Sequence, residues 1–169
     1  MTGLIHKPRS GGTYFFSVRL ADHNSDLLLT QIAALRDATR RTLRRHPFQI
    51  NAIAVLPSAI HTLWTLPPGD DDVSTRWAML KAMFTRNLGP AQGAPAAQIR
   101  ASTKGIWQRR FWEHRIRDAE DYTTHMRMIY TSPVQAGLCG RPQAWAHSSI
   151  HRDGADEAGQ FLCARVGSS

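Results

Sequence analysis

The residues to ask first about chemistry are the histidines. His61 stands in VLPSAIHTLW (55–64), a strand-like run in which it is the one ionisable side chain. Side chains alternate across a sheet, so positions 59, 61 and 63 share a face. Two histidines at 59 and 61 would present two imidazoles to one metal ion. Position 59 is alanine. His61 therefore reads either as a satisfied core or cleft histidine or as one ligand of an incomplete site. His147 and His151 stand four apart, a helical metal spacing, but no acid or cysteine flanks them and HSSIHR has the composition of a capped turn. His114 and His125 are single. Cys139 and Cys163 lack metal spacing, and nothing beside Cys139 marks it as a nucleophile. No phosphate loop or dinucleotide fingerprint occurs.

A second constellation is GIWQRRFWEHRI (105–116), where Arg109, Arg110 and Arg115, followed by Arg117, interleave with Trp107, Phe111 and Trp112. Single-stranded nucleic acid needs charge for its phosphates and aromatic surface for its bases, and this mixture supplies both. The alternative is an amphipathic strand with an aromatic core face and a solvated arginine face. Charge favours a polyanion: 21 Lys+Arg against 13 Asp+Glu leave 169 residues at net +8. Most of that charge is arginine, whose fork suits phosphate. No apolar run approaches the ~20 residues of a membrane span and MTGLIHKPRSGG has no signal-peptide core, so a soluble protein of the cytoplasm is expected.

These groups must be held by a regular scaffold. TYFFSVRL (13–20) reads as a strand. Asp26 is a candidate N-cap for a helix over 27–45, with Leu27, Leu28, Ile32, Leu35, Ala38, Thr39 and Leu43 at helical spacing and Arg36, Arg40, Arg41 and Arg44 outside. Strands follow at 48–57 and 60–67. A helix opened by Asp70–Asp72 carries Val73, Trp77, Leu80, Phe84 and Leu88 as one stripe. Residues 89–105 read as a mobile connection and 105–116 as a fourth strand. Asp118 caps a helix running to about Tyr130, which Pro133 helps to end. The order β-α-β-β-α-β-α predicts an α+β, ferredoxin-like domain over 13–152, an antiparallel sheet with helices packed on a face. A flexible entry (1–12) precedes it and a polar tail (153–169) follows.

Several segments resemble the REP-associated tyrosine transposases, bacterial relatives of insertion-sequence transposases in the HUH superfamily. They are GGTYFFSVRL (11–20), HPFQINAIAVLP (46–57), LWTLPPGDDDVSTRW (63–77), GIWQRRFWEHRIRDAEDYTTH (105–125), PVQAGL (133–138) and WAHSSIHR (145–152). The resemblance implies a tyrosine that attacks a DNA phosphate, forming a 5′-phosphotyrosine and a free 3′-OH. It also implies a divalent ion, Mg²⁺ or Mn²⁺, on the scissile phosphate. Two histidines flanking a hydrophobic residue hold that ion, with an Asn or Gln from the tyrosine's helix. Carried over by position, the histidine pair falls on Ala59-Ile60-His61. The tyrosine motif falls on Met128-Ile129-Tyr130-Thr131-Ser132-Pro133-Val134, so methionine stands at the nucleophile position and serine at the amide position. At about 100° per residue, Tyr130 points roughly 200° from position 128. Tyr122 lies roughly 120° off and more than a turn away. A thioether has no ionisable proton and forms no phosphotyrosine.

The resemblance therefore implies a protein that binds single-stranded and hairpin DNA of repetitive extragenic palindromes but is impaired in cleavage and strand transfer. Any metal at His61, Ala59 and Ser132 would be weak or absent, and no small-molecule substrate is expected. Trp107, Arg109 and Arg110, with Arg36, Arg40 and Arg44, are the expected DNA contacts. Two alternatives stand beside this: an active enzyme with Tyr130 as a rearranged nucleophile, and an RNA-binding module on the same topology, for which the usual Lys/Arg-Gly-Phe/Tyr signature is missing.

Overall fold

β1 (Thr13–Arg19) alternates strictly, with Tyr14, Phe16 and Val18 in one apolar cluster and Phe15 in another on the opposite face. That two-sided pattern decides the architecture. The computed structural model describes residues 11–88 and 105–153. The expected flexible entry, the connection over 89–105 and the tail from 153 fall, apart from their edges, outside the described residues.

β2 (Gln49–Val55), β3 (Ala59–Thr65) and β4 (Trp112–Arg115) complete a four-stranded sheet of order β2-β3-β1-β4, every neighbour antiparallel. This is the ferredoxin-like order expected. A bulge between Ile50 and Ala52 lets β2 send Ile50, Ile53 and Val55 to one face and Ala52 and Ala54 to the other.

One face carries a double helical layer. α1 (Leu27–Thr30) and α2 (Ile32–Arg45) are separated at Gln31 (φ −113°, ψ 37°), where one continuous helix was expected. Asp26 makes no side-chain cap; the Ser25 hydroxyl accepts the Leu27 N–H instead, at 3.1 Å. α3 (Val73–Leu88) buries all five residues of its expected stripe. Trp77 stacks on Trp64 of β3 with centroids 4.3 Å apart and planes 13° from parallel. The acids before α3 lie outside it. Asp72 accepts the Thr75 N–H (2.9 Å), and Asp70 takes both Nη atoms of the buried Arg76 at 3.0 and 2.8 Å. Those bonds hold the Asp70 carboxyl at about 2, below its ordinary 3.8.

The other face is covered too, which corrects the expectation of helices on one face. α4 (Ala119–Gln135) seats Ile129 against Phe15, Ala52, Ala54 and Leu63. Alanines at 52, 54 and 59 leave room for the helix to approach, and a strand buried on both sides, as β3 is from Ala59 to Trp64, requires such a cover.

Pro133 does not end α4; it lies inside. Lacking an N–H, it leaves the Ile129 carbonyl without its helical donor, and the Ser132 hydroxyl donates to that carbonyl at 2.7 Å. The helix stops about one turn later, ahead of Gly137, whose φ of 75° favours glycine. The segment after it runs along the free edge of β2. Val55 N–H donates to His147 O (2.9 Å), Ser149 N–H to Ile53 O (2.8 Å), and Trp145 Nε1–H to Val55 O (2.9 Å). HSSIHR thus covers a sheet edge, and His151 Nε2 donates to Trp145 O at 2.8 Å.

Candidate functional site

Period-two alternation sends Phe15, Ser17 and Arg19 of β1 to the α4 side, together with Ala59 and His61 of β3 and Trp112 and His114 of β4. Register places His61 and Trp112 on either side of Ser17. The C-terminal half of α4 hangs over this row. Between sheet and helix lies a cleft of about 520 Å³ whose walls include Phe15, Arg19, His61, Trp112, Met128, Ser132 and Gln135.

The structure brings together His61, Met128 and Ser132, three positions the sequence separates by up to 71 residues (132 − 61). Ala59 is not among the cleft residues. It is 2 % exposed and packs with Leu56 and Leu63. Burial, and then the nearby Arg19 charge, lower the His61 pKa from 6.5 to about 4, so its imidazole is neutral at neutral pH. Met128 is 48 % exposed and points its thioether surface into the opening. Ser132 has already committed its proton to Ile129. Among the cleft's lining residues there is no carboxylate, and Arg19 supplies the fixed charge.

Tyr130 turns elsewhere. Its hydroxyl lies 3.3 Å from Ser149 Oγ, beside β2, and its ring packs on the Phe15–Ile129 cluster. The Ser149 hydroxyl in turn accepts the Ile53 N–H at 2.9 Å.

The aromatic–basic run divides. Trp107 is 4 % exposed, bridged to Leu20 and edge-on to Phe84 with centroids 5.4 Å apart, so its ring is closed to a base. This corrects its expected role as a contact residue. The chain leaves the sheet at the exposed Arg109 and Arg110, and β4 therefore starts only at Trp112, far short of the expected strand over 105–116. Trp112, absent from the expected contacts, is 66 % exposed at the cleft. Arg19 was missed as well. Both were legible by counting in twos from Phe15 and His114, once β1 and β4 were known to be neighbours. Arg36, Arg40 and Arg44 ride on α2, in the layer on the opposite side of the sheet, and line no part of the cleft.

His114, Asp121 and His125 form a cluster whose ligand-type atoms lie within 4.8 Å of one another. The two imidazoles are stacked, centroids 4.5 Å apart and planes 16° from parallel. Lone pairs in nearly parallel planes do not converge on one ion. His114 Nε2 instead bonds the Asp121 carboxylate at 2.8 Å, while His125 Nδ1 donates to the Asp121 backbone carbonyl at 2.9 Å with the carboxylate 3.1 Å away. With the Arg117 N–H also donating (2.9 Å), these bonds hold the Asp121 carboxyl at about 2. The cluster ties β4 to the first turns of α4 and so sets where the helix crosses the cleft.

Against this geometry the similarity to known proteins is specific. A REP-associated tyrosine transposase of Escherichia coli is 45% identical over 143 residues, which cover 85% of this chain and 79% of the relative. The chain belongs to the REP-associated tyrosine transposases. A Haemophilus influenzae protein provisionally named to the same family is 42% identical over 145 residues, covering 85% of this chain and 82% of that one. A solved REP-associated tyrosine transposase, bound to a REP hairpin, superposes with a TM-score of 0.76 at 43% identity, covering 92% of this chain and 86% of that chain. No family model matches the chain. The superposition with the solved structure extends the likeness from sequence to fold. Among the described residues no helix is long and apolar enough to cross a membrane.

Proposed function

We propose that this chain binds hairpin DNA with single-stranded flanks, as a member of a DNA transposase family, and does not cleave it through a phosphotyrosine. The observation that carries the reading is Met128, the α4 side chain presented to the cleft opposite His61, where the family resemblance requires a phenol. A thioether cannot attack phosphorus to give the tyrosyl ester, and no tyrosine lines the cleft. Tyr130, the candidate substitute, has its hydroxyl at Ser149 rather than in the cleft.

The donor set does not fit the family's divalent ion. Mg²⁺ and Mn²⁺ favour several oxygen ligands, commonly carboxylate. The cleft provides one imidazole, a serine hydroxyl already donating to Ile129, and the Gln135 amide, with the Arg19 cation beside them. Its electrostatics favour an anion. What remains is a basic, partly apolar cleft suited to holding a nucleic-acid strand, and family membership selects DNA over the RNA-binding alternative. Arg109 and Arg110, exposed on the approach to β4, are proposed phosphate contacts.

The test is incubation of the protein with an end-labelled palindromic hairpin carrying single-stranded flanks, with Mn²⁺ or Mg²⁺. The expected result is a native-gel shift that weakens steeply with salt. On a denaturing gel no shifted band remains. A covalent band abolished by Tyr130→Phe would overturn the non-cleaving reading, and no shift at any salt would overturn the DNA-binding one.

A further inference from the structure

β4 and the start of α4 meet through two imidazoles and one carboxylate. The Asp121 carboxyl is held at about 2, so it is ionised at neutral pH and only accepts. The 2.8 Å contact therefore places the proton of His114 on Nε2. His125 Nδ1 faces the Asp121 main-chain carbonyl at 2.9 Å, again an acceptor alone, so its proton lies on Nδ1. Both rings are satisfied in the neutral form. A further proton enters at His114 Nδ1 or at His125 Nε2.

The surroundings accommodate one such proton and not two. A single imidazolium faces the Asp121 carboxylate and is stabilised by it. A second would lie face to face with the first, ring centroids 4.5 Å apart and planes 16° from parallel. The two side chains are 27 % and 14 % exposed, so water screens that repulsion poorly. The carboxylate is also shared: Arg117 Nε lies 3.5 Å from the oxygen that His114 meets. Asp118 is committed to capping α4, accepting the Asp121 N–H at 2.8 Å. β1 presents the Phe15 ring, its centroid 4.9 Å from that of His125. Glu113 and Arg115 of β4 alternate to the other face of the sheet, where Arg115 lies over Tyr14.

We infer that His114 and His125 form a proton-operated latch on α4: the pair clasps the helix to β4 with no added charge or one, and a second proton drives the rings, and with them the two elements, apart. The latch reaches the cleft, because Phe15 touches His125 and lines the cleft wall. Trp112, two residues before His114 on the same strand face, lines it too. Acid thus loosens the cleft from the end where α4 begins.

The experiment follows amide hydrogen exchange by mass spectrometry in the full chain at about pH 7.5 and about pH 5, the range in which imidazoles change charge, each corrected for the intrinsic rate at that pH. In the unsubstituted protein the first turns of Ala119–Gln135 are expected to exchange about tenfold faster in acid, the effect of about one pK unit of repulsion, while β2 and β3 hold. His125→Asn and His114→Gln each keep an N–H donor but leave one ring able to charge. In both, acid is expected to leave those turns unchanged or to slow them, because a lone imidazolium is attracted by Asp121 without opposition. Either variant suffices where the other fails to fold. Equal acid acceleration in a folded variant would overturn the latch, as would no acceleration in the unsubstituted protein. Acceleration that extends to β2 and β3 would assign the acid effect to the whole fold and overturn it as well.

Discussion

Trp107 and Trp112, five residues apart in one aromatic–basic run, occupy opposite environments: 4 % and 66 % exposed. Trp107 closes the far end of the main core beside Phe84, with Lys81 Nζ over its ring at 5.8 Å. Trp112 stands at the cleft. Their substitutions should separate stability from binding. Trp107→Ala should cost about 3–5 kcal/mol, the usual loss for a buried large aromatic. Trp112→Ala should change stability by no more than about 0.5 kcal/mol. Urea unfolding followed by circular dichroism reads both, and equal losses would contradict the assignment of the two rings.

Acid should unfold the protein partly through Asp70. Its carboxyl titrates near 2 when folded against an ordinary 3.8, so its contribution is full above about 3.8 and is lost as pH falls through about 2. Asp70→Asn should lower Tm at neutral pH and flatten its fall in this acid window. The buried Arg76 also donates to the carbonyls of His46 and Pro47, so Arg76→Met should be worse, about 3 kcal/mol. A Tm–pH curve parallel to that of the unsubstituted protein in Asp70→Asn would refute the linkage.

Rebuilding the family's chemistry is the constructive test. Ala59→His, Met128→Tyr and Ser132→Asn made together should create measurable Mn²⁺ binding by calorimetry. They should also lower Tm, because position 59 is 2 % exposed and an imidazole there overpacks by about 1–3 kcal/mol. Ser132→Asn alone removes the donor that serves Ile129 O, so it too should lose stability. Absence of any Mn²⁺ heat in a folded triple variant would show that the scaffold around His61 has moved beyond repair by these three changes.

Asp121 is the hinge pin of α4. Asp121→Asn leaves His114 and His125 stacked without the charge they both face, and the N-terminal turns of α4 should loosen. Hydrogen exchange should rise over the first turns of Ala119–Gln135 and stay unchanged in β2 and β3. Uniform exchange across the whole chain would assign Asp121 a global role instead.

Local pattern alone was enough for much of this molecule. The α3 stripe from Val73 to Leu88 and the three strands before it follow from side-chain period, and the Asp118 cap from its position before an acidic turn. The motif positions of His61, Met128 and Ser132 were readable too, because they rest on order along the chain. What periodicity cannot report is which neighbour a segment meets. β1 and β3 are apolar on both faces, so only tertiary packing put α4 over the second face, kept Pro133 inside a helix by lending it the Ser132 hydroxyl, and drew Ala59 into the core. The same holds for the two tryptophans: a run that alternates as a strand does not reveal where it joins the sheet. Pairing of Leu20 with Trp107 and of Ser17 with Trp112, contacts across some 90 residues (107 − 20 and 112 − 17), decided which ring was buried and which faces the cleft.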